Sequence, residues 1–247
     1  MLEKFTLKKH KKIGIVAWST GDNSFGATKP YLDFFSKYGI VTLILPQQTD
    51  IIEDLDLLVL PGGKDVSPSR YGEWPGYFTG HPDVYLEHFD TNVLGKYVNA
   101  RIPIFGICRG LQTLAVFFGG SLHQHIYTPY SQQREDKVHL LSVDNKAFKN
   151  TTCFKNVFVD DKKLSVNSLH HQSVNIVPNE FVKVATTKNY GKNIEALVSV
   201  NLPIAGVQYH PEHIFDELSD QLINSLLHVN IVKSGNAETK KQEVTQF

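Results

Sequence analysis

The stretch Ile102–Gly120, "IPIFGICRGLQTLAVFFGG", runs from a short apolar strand pattern into a segment with helical spacing, and a cysteine stands at the junction. A buried run that enters a helix this abruptly belongs to a layered α/β sheet. Gly106 and Gly110 flank Cys108 two residues away on each side. This is a thiol version of the nucleophile elbow, in which glycines permit a strained strand-to-helix turn and lift the side chain out of the core. A helix starting at about Gly110 aims backbone N–H groups and the positive end of its dipole at the sulfur, favouring thiolate. An isolated G-x-C-x-G more often marks a small residue packed on a glycine-rich turn, so the rest of the chain has to decide.

Outward from the elbow, Ile13–Trp18, Ile40–Leu45, Asp56–Leu60 and Ile102–Ile107 have the pattern of buried strands. Amphipathic segments near Lys29–Tyr38 and Val84–Ala100 separate them, an alternation that predicts a parallel sheet with crossover helices. Beyond Val138 the strand patterns crowd together, at Val138–Val143, Asn156–Val159, Phe181–Thr186, Ile194–Val200 and Ile204–Tyr209, with turn signals such as "NYGKN" between them. The expected fold is a single doubly wound, mostly parallel sheet with antiparallel strands added in the second half. A helix from Phe215 to about Val232 closes it.

A chain of 247 residues with 41% hydrophobic content can bury one large core. Lys plus Arg and Asp plus Glu are both 25, so no global field recruits nucleic acid or an anionic membrane. Two cysteines, Cys108 and Cys153, make neither a disulfide framework nor a zinc spacing and suit a reducing cytosol, which predicts a cytoplasmic protein. The lysines of "MLEKFTLKKHKKIGIVAW" precede an apolar run too short for a signal peptide or a membrane span. The expected organisation is a basic arm over residues 1–12, one catalytic domain over 13–233, and a polar tail over 234–247 with too little apolar content to order itself.

Two further strand ends carry chemistry. In "GVQYHPE", Gly206–Glu212, an apolar strand ends in His210 and Glu212, two positions apart across a proline. Strand ends converge on one rim of an open α/β sheet, so His210 can meet Cys108 and take its proton while Glu212 holds the other ring nitrogen. In "LLVLPGGKDVSPSRYGE", Pro61, Gly62 and Gly63 follow a buried strand. Glycines let the main chain approach a reacting carbonyl, so the Gly63 and Arg109 amides can form an oxyanion hole.

Together these segments resemble the class I glutamine amidotransferase superfamily, whose nucleophile, base and oxyanion motifs are matched by "GICRGLQ", "GVQYHPE" and "LPGG"; the likeness runs from about Ile13 to Val232. The segments "PGGKDVSPSRYGE", "FGICRGLQTLAVFFGGSLHQHI", "VNSLHHQ" and "NIEALVSV" resemble its γ-glutamyl-γ-aminobutyrate hydrolase branch, related to folate γ-glutamyl hydrolases. The resemblance implies a flavodoxin-like fold and cofactor-free cleavage of γ-glutamyl amides. It implies Cys108 as nucleophile, His210 as base, Glu212 as orienting acid, and the Gly63 and Arg109 amides as oxyanion hole. It further places Gly62, Gln112 and Ser168, Leu169, His170 and His171 near the bound γ-glutamyl group. Glu195 is either a partner for that group's α-ammonium or a solvated strand glutamate.

The chain departs from the branch in two places. Leu86 and Glu87 stand where relatives carry an Arg-Asp pair, so an arginine that would bind an acid or brace the site is missing, and Tyr209 replaces the usual tryptophan before His-Pro-Glu. His123 and His125 are two potential ligands on one extended segment without a third, a poor metal site. The expected partner is a small γ-glutamyl amide or glutamine. The same residues would serve a glutaminase subunit that passes ammonia to a separate synthase, or, less plausibly, a noncatalytic binding protein on the same fold, and a homodimer is compatible with either enzyme.

Overall fold

The computed structural model describes residues 10–21, 23–126, 138–188 and 192–229. Most of the basic arm, residues 189–191 of the expected turn, residues 230–232 of the last expected helix, and the polar tail lie outside the described residues. The first half runs β1 (Lys12–Val16), a hairpin of β2 (Trp18–Gly21) and β3 (Ser24–Gly26), α1 (Lys29–Ser36), β4 (Ile40–Ile44), β5 (Leu57–Leu60), α2 (Val84–Asn92), α3 (Leu94–Asn99), β6 (Ile104–Ile107) and α4 (Arg109–Phe117). The second half adds β7 (Ser121–His123), β8 (Val138–Val143), β9 (Ser165–Asn167), β10 (Ser173–Ile176), β11 (Phe181–Thr187), β12 (Ile194–Ser199), β13 (Ile204–Val207) and α5 (Glu217–Leu227).

Nine strands form one sheet in the order β4-β1-β5-β6-β13-β12-β11-β8-β9. Strands β4 to β13 in that order are parallel to their neighbours, and every pairing beyond β13 is antiparallel. This is the expected doubly wound sheet with its antiparallel extension. Its central strands are buried on both faces, as their unbroken apolar runs require. In β5, Leu57 and Val59 face Tyr31, Phe34 and Phe35 of α1 and Leu218 and Leu222 of α5. Leu58 and Leu60 face the other way, towards Phe89 of α2, Tyr97 of α3 and Leu111 and Leu114 of α4.

Some expected elements differ. Asn156–Val159 is not a strand. Val157 and Val159 are buried, but the Asn145 side-chain amide satisfies both main-chain groups of Val159, and the Gln221 amide does the same for Phe158. The helix expected over Val84–Ala100 is divided at Val93 into α2 and α3. The strand expected from Ile102 starts at Ile104, after Pro103, which has no N–H for a ladder. The last helix begins at Glu217, where the Asp216 side chain accepts the Ser219 amide.

The elbow is held by glycine contacts. A Cβ on Gly110 would lie 2.2 Å from the Leu60 carbonyl oxygen, one on Gly106 would lie 2.6 Å from the Gly110 carbonyl carbon, and one on Gly206 would lie 2.9 Å from the Gly106 oxygen. Gly106 and Gly206 are register partners in β6 and β13. The first turn of α4 therefore sits directly on the backbone of β5 and β6, with the Leu111 side chain over Gly206 of β13. Cys108 occupies the intervening position with φ +52° and ψ −103°, and its amide donates to the Val207 carbonyl at 2.8 Å. Gly110→Ala should cost roughly 1–3 kcal/mol of stability through overpacking against main chain that cannot yield. Gly26→Ala, where the nearest atom beyond the neighbouring residues is Thr20 Cγ2 at 3.7 Å, should stay within about 0.5 kcal/mol of the parent. Urea midpoints measure both, and equal shifts would show that α4 is not seated this way.

Candidate active site

Strands β6 and β13 are adjacent and parallel, with Ile107 opposite Val207, so Cys108 and the segment Gln208–Glu212 leave the sheet at the same rim. His210 lies close enough to Cys108 for the sulfur's charge to act on its ring, and its Nδ1 lies 2.7 Å from Glu212 Oε1. Glu212's carboxylate is fully buried. The main chain of His210 is clamped by one side chain: its N–H donates to Asn167 Oδ1 at 2.9 Å, and its carbonyl accepts from Asn167 Nδ2 at 2.7 Å. Below it, the Tyr209 hydroxyl donates to Asp216 Oδ1 at 2.8 Å at the head of α5, a contact that a tryptophan ring would not make in this form.

The loop after β5 closes the other side. A Cβ on Gly62 would come within 2.7 Å of His210 Cε1, so the imidazole packs on glycine backbone. The Gly62 N–H donates to the Tyr31 hydroxyl at 2.8 Å. Burial, reinforced by the charges of Glu212 and Cys108, holds the Tyr31 phenol well above its ordinary pKa, so it stays neutral. Gly63 is exposed, with Arg109 Cδ and Leu86 Cδ1 each 3.2 Å from where its Cβ would be. Among the described residues, neither the Gly63 nor the Arg109 amide has a hydrogen-bond acceptor.

The Arg109 side chain turns away from the sulfur. Its Nη2 lies 2.8 Å from Asp90 Oδ2 and 2.9 Å from Glu87 Oε1, and its Nη1 donates to Thr113. Arg70 reaches the same Asp90 oxygen at 2.9 Å. Burial would lower the Arg109 pKa, but Asp90 and Glu87 outweigh it and the shift is upward. Arg70 and Arg109 are thus both paired with acids of α2.

The residues expected near a γ-glutamyl group separate into two sets. Leu169 and His171 are partly exposed, and His171 Nε2 lies 3.0 Å from Asp65, which raises its pKa through that hydrogen bond. Gln112, Ser168, His170 and Glu195 are buried. Gln112 Nε2 donates to the Gln172 carbonyl and to Gln208 Oε1, both at 3.2 Å. Glu195 is not a solvated strand residue: its carboxylate is fully buried, 3.2 Å from His139 Nε2 and 4.0 Å from His170 Nε2. Burial lowers the His170 pKa against the opposing pull of Glu195.

Sequence reasoning missed Tyr31, Asn167 and Gln208. Gln208 is fully buried, and its Nε2 donates to Cys108 Sγ at 3.6 Å. Its position inside "GVQYHPE", a polar residue closing an otherwise apolar run, was the available signal.

A sheet of this order with cysteine, histidine and glutamate gathered at its carboxyl rim defines a class I glutamine amidotransferase-like protein. Residues 12–212 match the peptidase C26 family, and the chain belongs to that family. It is 32% identical to the glutamine amidotransferase-like protein YvdE of Lactococcus lactis, covering 74% of this chain and 78% of that one. It is 31% identical to a γ-glutamyl-γ-aminobutyrate hydrolase of Escherichia coli, over 66% of each chain. The fold is shared with a PurLQS structure from Thermotoga maritima at a TM-score of 0.60 and 19% identity, covering 89% of this chain and 98% of that chain. Among the described residues, no helix is long and apolar enough to cross a membrane.

Burial alone would lower the His210 pKa, but the charge and hydrogen bond of Cys108 and those of Glu212 outweigh it and raise it from 6.5 to about 10. The folded value lies above the unfolded one, so the imidazolium contributes stability that is complete below 6.5 and lost as pH rises through about 10. In Cys108→Ala the buried ring keeps only Glu212, so its titration should move down and stability should vary less across that window. NMR of the His210 Cε1 proton against pH checks this. An unchanged midpoint in Cys108→Ala would show that the two side chains are not coupled.

Proposed function

We propose that the chain is a cysteine-dependent hydrolase that cleaves γ-glutamyl amide bonds of small molecules through a γ-glutamyl thioester. The observation that carries this reading is Cys108, held at positive φ at the head of α4 beside an imidazole that is itself hydrogen-bonded to a buried carboxylate. The thiolate adds to the γ-carbonyl carbon, and the oxyanion accepts the Gly63 and Arg109 N–H groups; one such donor is worth roughly 3–4 kcal/mol. The C–N bond breaks as imidazolium His210 gives its proton to the leaving amine. Neutral His210 then takes a proton from water, hydroxide adds to the thioester, and the C–S bond breaks to release glutamate with its γ-carboxyl group free and restore the thiolate.

We assign the γ-glutamyl group to the side formed by Gly62, Leu169 and His171, with Gln112, Ser168, His170 and Glu195 behind it. On the leaving-group side, Arg70 and Arg109 are already paired with Asp90 and Glu87, and Leu86 offers no charge. A carboxylate on the leaving amine therefore lacks a bidentate arginine. A second reading, a glutaminase subunit that hands ammonia to a synthase, is favoured by the fold shared with the PurLQS structure.

Purified chain should hydrolyse γ-glutamyl amides without a partner and lose turnover in Cys108→Ala. Its kcat/KM should be higher for an uncharged γ-glutamyl alkylamide than for γ-glutamyl-γ-aminobutyrate. Activity on glutamine alone, appearing only when a synthase is added, would replace the first reading by the second. In single-turnover acylation, His210→Asn should be the deeper defect and Glu212→Gln the milder, because an amide still orients the ring but does not stabilise its cation. The reverse order would show that Glu212 is not the orienting acid of the imidazole.

A further inference from the structure

Gln208, two residues before His210, lies inside the motif that carries the base, yet the thioester cycle assigns it no part. Its side-chain amide joins two neighbours: Nε2 is 3.6 Å from Cys108 Sγ, and Oε1 is 3.2 Å from Gln112 Nε2. Amide nitrogen and oxygen are nearly alike in shape, so the direction of such a bond must be fixed by something that cannot flip. That anchor is the Gln172 main-chain carbonyl, an acceptor only, which takes Gln112 Nε2 at 3.2 Å and His170 Nδ1 at 2.9 Å. Gln112 must therefore turn its nitrogen inward, Gln208 must answer with its oxygen, and the Gln208 nitrogen is left facing the sulfur. Reversing Gln208 would set two N–H donors against each other in a fully buried place, which costs the desolvation of both.

We propose that Gln208 is a catalytic hydrogen-bond donor to the Cys108 sulfur, standing beside His210, and that Gln112 is the positioning residue that fixes its direction. Its role in turnover rests on the hydrolase reading, whereas the hydrogen bond to the sulfur does not. An N–H aimed at a buried sulfur favours the anion over the thiol, both before attack and when the thioester C–S bond breaks. Gln112→Leu should act only through Gln208, by letting that amide turn.

Gln208→Glu tests the donor with little change in shape. The new carboxylate still accepts from Gln112 but presents an oxygen to the sulfur, so alkylation of Cys108 by iodoacetamide at neutral pH should slow roughly tenfold or more, with its pH midpoint moved upward. Mass spectrometry of the Cys108 and Cys153 peptides from one sample separates the two thiols, and an unchanged Cys153 rate shows that the fold has survived. Gln208→Met, apolar and of similar size, serves if the glutamate variant does not fold, and should slow Cys108 in the same direction. Adding Gln112→Leu to Gln208→Met should change the Cys108 rate little, although Gln112→Leu alone slows it. A folded Gln208 variant with the parent's Cys108 rate and pH midpoint would overturn the proposal, as would fully additive effects of the two substitutions for the positioning role. Alkylation uses no substrate, so a shifted profile without hydrolysis of any γ-glutamyl amide would retain the hydrogen bond and reject the hydrolase reading.

Discussion

The close seating of α4 on the sheet is the constraint on which the site depends. Gly110 lies against the Leu60 carbonyl and Gly106 lies beneath Gly110, so β5 and β6 touch the first turn of one helix through backbone, while Gly206 of β13 lies beside Gly106 and under the Leu111 side chain. That contact leaves Cys108 no ordinary helical or extended conformation. A non-glycine residue at φ +52° carries strain on the order of 1–3 kcal/mol, which survives only where the surroundings over-determine it. At Cys108 they do. Residues 109–116 of α4 are all buried, and the Cys108 amide is tied to Val207, so the strained residue is held from both sides.

Two sets of buried charge then flank the nucleophile. On one side His210 stands between Cys108 and Glu212; on the other Arg109 and Arg70 meet Asp90 and Glu87. Arg109 belongs to both. Its main chain opens the helix behind the sulfur, and its guanidinium is held by acids of α2, so the pose of the residue that follows Cys108 is set by charges remote from the sulfur. Leu86 packs beside Gly63, and the wall of that loop is apolar there.

What could be read from the sequence was what short contiguous segments determine. The parallel strands are unbroken apolar runs, and the elbow and His-Pro-Glu segments carry their geometry in a few residues, so the sheet and the meeting of Cys108 with His210 were both legible. Asn156–Val159 was not, because side-chain amides from Asn145 and Gln221 replaced a ladder, and nothing in a valine pattern announces that. Tyr31 and Asn167 were missed for the same reason. One comes from α1 and the other from the end of β9, and each acquires its role only when the fold brings it to Gly62 or to the His210 main chain. Glu195 admitted two readings on a strand pattern, but its burial against His139 and His170 follows from the antiparallel extension that brings β8 and β12 into one sheet.

Gln208 and His210 also differ in a way that suits the proposed thioester cycle. His210 has to change its protonation state, giving a proton to the amine and recovering one from water, so its charge is absent during part of the reaction. A primary amide does not titrate in the working range, and Gln208 therefore presents the same N–H throughout. When thiolate must leave the thioester, the amide is already aimed at it and no dipole has to reorganise, which is the circumstance in which a fixed donor in a low-dielectric site counts most. The row of Gln172, Gln112 and Gln208 thus complements the imidazole: one device moves the proton, and the other keeps the sulfur's environment constant while it moves.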